Sequence, residues 1–275
     1  MKGRLFVCAT PIGNLEDTSA RLIRVLGEVD LVAAEDTRRT RKLLSHFGLH
    51  ARVVSYHDAN EREQTKRLAE GLSGGDKVAL VTDAGMPAIS DPGYRLVRAC
   101  IDLDVPVEVI PGPSALLPAL VLSGLPTHRF AFEGFLPAKG QQRMRRLQSL
   151  KDESRTMVFY EAPNRLHATA ADMYTVWGDR PAALARELTK VHEEVVRASL
   201  KDLVHILSSK EILGECVLVV GGATEEVAPL EVAVEKAKAL EQTGMSKSKA
   251  AAAAATASGL AKAQIYERLI KGEGS

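Results

Sequence analysis

Short apolar runs rich in β-branched residues alternate with helical patterns along most of this 275-residue chain. A first series predicts strands at 4–8, 31–34, 52–56, 77–81 and 107–110. This alternation is typical of a parallel sheet covered by helices on both faces. A second series predicts strands at 129–136, 156–162, 181–187, 195–199 and 215–222. The third and fourth strands of that series are close in sequence, which indicates an antiparallel pair and therefore a mixed second sheet.

The run VIPGPSA closes the first strand series and marks a domain boundary. We therefore predict one α/β domain at 1–112, a second at 113–224 and a helical tail at 225–275. The alanine-rich tail has the offsets of a helix-turn-helix, with Gly259 at the turn. An alternative is a plain helical hairpin that packs on the body of the protein or on a partner subunit.

Composition limits the environment of the protein. Residues are 45% hydrophobic and 26% charged, and the net charge of +1 gives no overall basic field for a polyanion. Three cysteines lie far apart in apolar runs, which argues against a disulfide framework or a metal site and fits a reducing cytosol. The N-terminus lacks a signal-peptide pattern, and no run is long enough to span a membrane. We predict a soluble, cytoplasmic protein without a metal or a membrane partner.

Three loops rich in Pro and Gly each follow a predicted strand of the first series: ATPIGN, DAGMPAISDPG and PGPSA. In a parallel sheet the carboxyl ends of the strands share one edge, where ligands bind, so we predict one composite pocket. The P-loop, dinucleotide-binding and nucleophile-elbow motifs are all missing from the sequence. What remains is a rigid loop set with acids, suited to a ligand that carries a ribose, an adenine and a positive charge. Tight turns without function would explain any one of these loops alone.

Five blocks carry a specific resemblance, in this order: LFVCATPIGNLEDTSARLIRVLGEVDLVAAEDTRRTRKLL, VTDAGMPAISDPG, VIPGPSA, VFYEAPNRL and LARELTKVHEE. Together they resemble the ribosomal RNA small subunit methyltransferase I family, a class III group with the tetrapyrrole methylase fold. The resemblance covers about 4–222, and Met86 stands where the family often has Thr. It implies two α/β domains, a Rossmann-like parallel sheet plus a mixed second sheet, and the helical tail predicted above follows them.

The resemblance also implies an activity. The expected reaction is S-adenosylmethionine-dependent methylation of the ribose 2′-hydroxyl of a cytidine in the decoding region of 16S rRNA, within the 30S subunit. A homodimer is implied, with the cofactor between the two α/β domains. The residues implied to bind the cofactor are Pro11, Asp83, Ala84, Gly85, Ser114, Ala115, Phe159, Tyr160, Ala185, Arg186 and Glu187.

A ribose hydroxyl is a weak nucleophile, so a general base or a hydrogen-bond acceptor is expected near it. Our candidates lie at predicted strand ends and are Glu35, Asp36 and Glu161. Two of them have a structural alternative: Asp36 is suited to cap the following helix, and Glu161 to serve as a core or cap residue. His57, at the end of another predicted strand, is a further candidate, and a turn residue is the alternative for it.

Two basic clusters are candidates for contact with RNA, because Arg and Lys pair with phosphates. They comprise Arg38, Arg39, Arg41 and Lys42, and then Lys139, Arg143, Arg145 and Arg146, with Arg165 as a further contact. Solvated helix faces are the alternative explanation for either cluster. Two other functions stay open: a methylase of the same fold acting on a tetrapyrrole or another small molecule, and a non-catalytic RNA-binding protein.

Overall fold

The computed structural model describes residues 2–210, 212–223 and 230–271. The chain forms two compact units, Met1–Gly222 and Ala223–Ser275. In the described part of the first unit the strands are β1 (Arg4–Cys8), β2 (Leu31–Ala34), β3 (Val53–Ser55), β4 (Lys77–Val81), β5 (Val107–Ile110), β6 (Phe130–Phe135), β7 (Thr156–Glu161), β8 (Pro181–Arg186), β9 (Glu194–Ser199) and β10 (Cys216–Val220). Each strand coincides with a predicted one to within two residues at either end.

The helices of this unit lie between those strands. They are α1 (Ala20–Glu28), α2 (Thr37–His46), α3 (Glu61–Gly74), α4 (Tyr94–Asp102), α5 (Leu116–Ser123), α6 (Gly140–Ser149), α7 (Leu166–Trp177) and α8 (Leu200–Ser209). The side chains of Ser19 and Ser199 cap α1 and α8 by accepting a backbone N–H. Helix α5 has no counterpart in the predicted pattern, since its sequence LLPALVLS lacks an amphipathic period.

The first sheet has the strand order β3-β2-β4-β1-β5 and all of its pairings are parallel. Its central strands are apolar at successive positions because both faces are covered. Along β4, Val78 and Leu80 belong to one core cluster, whereas Ala79 and Val81 belong to another on the opposite side. The predicted parallel sheet is confirmed.

The second sheet has the order β6-β7-β10-β8-β9. Only β6 and β7 pair in parallel, and β8 pairs with β9 antiparallel, as predicted. On one face, Met157 and Phe159 pack in a core cluster with residues of α6, α7 and α8. On the other face, Val158 and Tyr160 join a cluster that contains Ile12 of the first loop and residues of α5. The second cluster therefore joins the two sheets into one unit.

The described part of the second unit contains three helices: α9 (Leu230–Gln242), α10 (Lys247–Ser258) and α11 (Lys262–Lys271). Small alanine side chains, such as Ala250 and Ala254, form its core with Ile265 and Leu269. Gly259 ends α10 in the left-handed conformation, with φ of 71°. None of the helices in the described residues is both long and apolar enough to cross a membrane.

Candidate active site

The three Pro/Gly-rich loops meet at the carboxyl edge of the first sheet, because β4, β1 and β5 are neighbours there. Thr10 and Gly85 exchange two backbone hydrogen bonds, of 2.9 and 3.0 Å, and so join the first loop to the second. The Thr10 hydroxyl also donates to the carbonyl of Thr82 at 3.0 Å. Ala9 donates its amide to Ile110 at 3.1 Å, immediately before the third loop. The predicted meeting of the loops is therefore observed.

The second loop is conformationally unusual. Left-handed φ angles occur at Gly85 (86°), Ala88 (68°), Ser90 (64°) and Gly93 (143°). Two of these residues are not glycine, and such a conformation costs free energy that the surrounding structure must offset. Strained backbone of this kind is concentrated at ligand-binding sites.

A cavity of about 850 Å³ opens beside these loops and is called the large cavity below. The second and third loops line it from the first sheet, and β6, β7 and β10 line it from the second. Its volume lies in the range of small-molecule sites, roughly 300–1,000 Å³. The composite pocket expected from the sequence is thus formed by both sheets of the unit.

Two kinds of side chain line the large cavity. Aromatic rings come from Phe132, Phe135 and Tyr160, and the ring centroid of Tyr160 lies 4.9 and 5.6 Å from those of the two phenylalanines. Burial raises the pKa of Tyr160. Acids come from Glu35, Asp83 and Asp91. A ligand with both an aromatic ring and a positive charge matches this arrangement.

The acids are held by the backbone of adjacent strands. Glu35 accepts the Asp83 amide at 3.2 Å, and Asp83 accepts the Asp36 amide at 3.0 Å. Burial, partly opposed by the hydrogen bond from Asp83, raises the pKa of Glu35. Burial and then the charge of Glu35 raise the pKa of Asp91 to about 7. This cavity therefore contains a carboxyl group, that of Asp91, which can exchange a proton near neutral pH.

The other two candidate bases have structural roles. Asp36 caps α2 by accepting the Arg38 amide at 2.8 Å, and its hydrogen bonds with Arg38 hold the pKa of its carboxyl well below the usual range. The Glu161 side chain is 1% exposed and accepts the Thr169 hydroxyl at 2.6 Å. It also pairs with Arg165 at 3.1 Å. In both cases the structural alternative describes the contacts observed.

The structure places six of the predicted cofactor residues on the wall of the large cavity: Asp83, Ala84, Gly85, Ser114, Ala115 and Tyr160. Pro11 lines a neighbouring cavity instead. Four others line neither cavity. Phe159 lies in the core on the opposite face of β7, Ala185 is buried between strands, and Arg186 and Glu187 form ion pairs with Glu194 and Lys190.

The neighbouring cavity has a volume of about 460 Å³ and is called the small cavity below. The first loop, α2 and Lys190 line it, and it shares part of its wall with the large cavity. Arg39 stands at that shared wall, where its guanidinium lies 3.5 Å from the Asp83 carboxylate.

The predicted RNA-binding cations are distributed unevenly. Arg39 and Lys42 line the small cavity, while Lys139 and Arg145 are exposed on the surface around α6. The others have protein partners: Arg38 with Asp36, Arg41 with Thr37, Arg143 with Asp172, Arg146 with Glu133, and Arg165 with Glu161. Arg143 is buried, and its 2.7 Å pair with Asp172 joins α6 to α7.

Several site residues are not predicted by the sequence. Asp91 lies in the second loop, but nothing in the sequence of that loop distinguishes it from Asp83. Phe132 and Phe135 lay in a predicted strand without a sign of which face met a ligand. Lys190 and Glu215 come from loops of the second sheet, far from the first three loops in sequence. No group of acids, histidines or cysteines in the described residues has the arrangement of a metal site.

The family model for Tetrapyrrole (Corrin/Porphyrin) Methylases matches residues 4–204, which is most of the chain. The chain belongs to the tetrapyrrole methylase family. Within this family, a ribosomal RNA small subunit methyltransferase I from Halalkalibacterium halodurans is 45% identical over 96% of the chain and 94% of its own length. One from Mycobacterium tuberculosis is 51% identical over 80% of the chain and 78% of its own length. The resemblance found in the sequence is confirmed.

A third relative of the same name, from Thermotoga maritima, is 46% identical over 99% of its own length and 80% of this tetrapyrrole methylase. About a fifth of the chain therefore has no counterpart in that relative. Solved structures agree on the fold. A uroporphyrin-III C-methyltransferase from Thermus thermophilus superposes with a TM-score of 0.57 at 22% identity, covering 80% of the chain and 94% of that structure. A diphthine synthase gives 0.59 at 18% identity, covering 80% and 90%.

Proposed function

We propose that the protein transfers a methyl group from S-adenosylmethionine to the ribose 2′-hydroxyl of a cytidine in the decoding region of the small-subunit ribosomal RNA. The observation that carries this proposal is the large cavity, formed by the family's three loops in a chain about 45% identical to methyltransferases of that name over most of its length. The preferred substrate is the assembled 30S particle, and the active form is a homodimer.

The residues of the large cavity fit S-adenosylmethionine. The aromatic rings of Phe132, Phe135 and Tyr160 suit the adenine ring. The acids that line the same cavity suit the ribose hydroxyls and the positive charges of the sulfonium and the amino group. When bound, the cofactor supplies the methyl group on a sulfur that is already a good leaving group.

The chain itself supplies position and a proton acceptor. Holding the ribose hydroxyl next to the methyl carbon provides much of the acceleration, through proximity and orientation. As the oxygen forms its bond to carbon and the carbon–sulfur bond breaks, the hydroxyl proton passes to a carboxylate. We assign this role to Glu35 together with Asp91, since both face the large cavity and both have raised pKa values.

The test uses labelled S-adenosylmethionine and small subunits from cells that lack this methylation. After incubation, nuclease digestion and mass spectrometry locate the label. We expect 2′-O-methylcytidine in the decoding region, with less label on naked 16S rRNA. Cofactor binding without transfer to either RNA would refute the proposed substrate and favour a small-molecule acceptor. Light scattering on the purified protein tests the dimer, which a monomer mass would exclude.

A further inference from the structure

The small cavity has a composition that the cofactor does not require. Its basic side chains are Arg39, Lys42, His46 and Lys190. Its apolar side chains are Pro11, Ile12, Leu15 and Leu43. A nucleotide combines the two matching features, an anionic phosphate and a flat base with apolar faces. The volume of about 460 Å³ is sufficient for one nucleotide and excludes a duplex.

One stripe of α2 provides much of this lining. Residues Arg39, Lys42, Leu43 and His46 are spaced by three, four and seven positions, so they lie on one face of the helix. Arg38 and Arg41 from the same basic run lie outside that stripe and line neither cavity. The basic run that forms one cluster in the sequence is therefore divided in the structure, because Arg39 and Lys42 line the small cavity and its other two members do not.

The cations differ in how they are held. Lys190 lies 2.8 Å from Glu187 and 3.3 Å from Glu215, and the two acids raise the pKa of its ammonium despite its burial. By contrast, the side chains of Lys42 and His46 form no hydrogen bond or ion pair with any residue in the described ranges. The Lys42 ammonium and the His46 imidazole are therefore available to donate hydrogen bonds to an anion.

The two cavities abut. Ile12, Arg39, Asp83, Ala84 and Glu215 line both of them. A group bound in the small cavity against this shared wall is therefore next to whatever occupies the large one. This adjacency is what transfer between two bound substrates requires.

We propose that the small cavity binds the target nucleotide of the RNA, taken out of its base stack, with the phosphate at Lys42 and His46 and the ribose at the wall shared with the large cavity. Enzymes that act on a base take it out of the stack. Extrusion is inferred here because the small cavity has room for one nucleotide and not for a duplex. This inference rests on the proposed function, because it assigns the acceptor site of the same reaction.

The experiment compares Lys42→Ala, the double variant Lys42→Ala/His46→Ala and Leu15→Trp with the native protein. Lys66→Ala is the matched control, an exposed lysine on α3 that lines neither cavity. Steady-state kinetics on unmethylated small subunits give KM and kcat, and calorimetry gives the Kd for S-adenosylmethionine. Leu15 is 42% exposed, so a tryptophan there obstructs the cavity without disturbing a buried core.

We expect Lys42→Ala to lower kcat/KM for the subunit by about tenfold, mainly through KM, and the double variant to lower it further. Leu15→Trp should block transfer, and all three variants should keep the native cofactor Kd within about twofold, the range expected for sites that share only a wall. Lys66→Ala should match the native protein.

Two results would overturn the inference. One is a Lys42→Ala variant indistinguishable from Lys66→Ala, together with full activity of Leu15→Trp. The other is a loss of cofactor affinity in Leu15→Trp, which would place the cofactor in the small cavity. Both leave the proposed function standing, because the native protein still methylates RNA. Failure of the native protein to methylate any RNA would instead refute the proposed function itself.

Discussion

The backbone amide of Asp83 donates a 3.2 Å hydrogen bond to the carboxylate of Glu35, joining the ends of the neighbouring strands β4 and β2. The Asp83 carboxylate accepts the amide of Asp36 in return. This reciprocal arrangement fixes Glu35 at the wall of the large cavity, where Asp91 also lies. Burial and neighbouring negative charge raise the pKa of both acids, that of Asp91 to about 7, so the charge of Asp91 changes near neutral pH.

We predict that methyl transfer gains rate as the pH rises through about 7, the pKa to which burial and Glu35 raise Asp91. The rate rises with pH because a carboxyl group accepts a proton only after it has lost its own. In Asp91→Asn this inflection in kcat/KM should disappear, and the rate at the plateau should fall by about 100-fold. The control is Asp102→Asn at an exposed position of α4, which should keep the inflection and the plateau rate of the native protein. An inflection near 7 that persists in Asp91→Asn would assign it to another group.

Glu161 is expected to matter for stability. Truncation in Glu161→Ala removes the carboxylate partner of the Arg165 guanidinium, which keeps its hydrogen bond to the Leu136 carbonyl, and removes the acceptor for Thr169. The free energy of unfolding should fall by about 3 kcal/mol, the usual result of breaking a buried pair. Urea denaturation measures it, with Glu70→Ala on the exposed face of α3 as the control. Equal stabilities would show that this network contributes nothing.

Gly93 cannot accept a side chain without displacing its neighbours. Its φ is 143°, and a Cβ atom there would lie 2.9 Å from the Leu80 side chain and 3.2 Å from the Ala88 amide. Gly93→Ala should therefore destabilise the protein by roughly 1–3 kcal/mol and weaken cofactor binding. The control is Gly74→Ala at the end of α3, where the space is open, and it should be neutral or slightly stabilising. Thermal unfolding that ranks the two variants the other way would contradict this account.

The three cysteines should be unreactive in the folded state. All are buried, and burial raises the pKa of Cys8 to about 12 and those of Cys100 and Cys216 to about 11. Because the thiolate is the reactive form, iodoacetamide at pH 8 should leave all three unmodified in native protein and alkylate them in urea. Mass spectrometry distinguishes alkylated from unmodified cysteines. Rapid native labelling of Cys216, which lines the large cavity, would show that this wall opens.

The sequence predicts the two sheets well because their strands are short apolar runs that periodicity detects. It also predicts the meeting of three loops, since the carboxyl ends of parallel strands share an edge. The prediction that Phe159 and Tyr160 both bind the cofactor conflicts with the geometry of a strand. Successive side chains of a strand point to opposite faces, so only one of the pair could reach the cavity.

Other parts of the site depend on contacts that a local pattern does not contain. Arg143 belongs to a basic run in the sequence, yet its partner Asp172 comes from another helix 29 positions later. Burial and then the charge of Glu35, which directly follows β2, raise the pKa of Asp91. Which cation is free and which is paired is therefore decided by packing.

The large cavity is lined by residues from Ile12 in the first loop to Val217 in β10. During synthesis, the site is therefore completed only when nearly all of this unit has been made and folded. Contacts so distant in sequence form late and slowly. An intermediate without β10 lacks part of the wall, so cofactor binding would favour the finished fold over its precursors. The cofactor therefore stabilises the completed fold and has no complete site to bind during the first steps of folding.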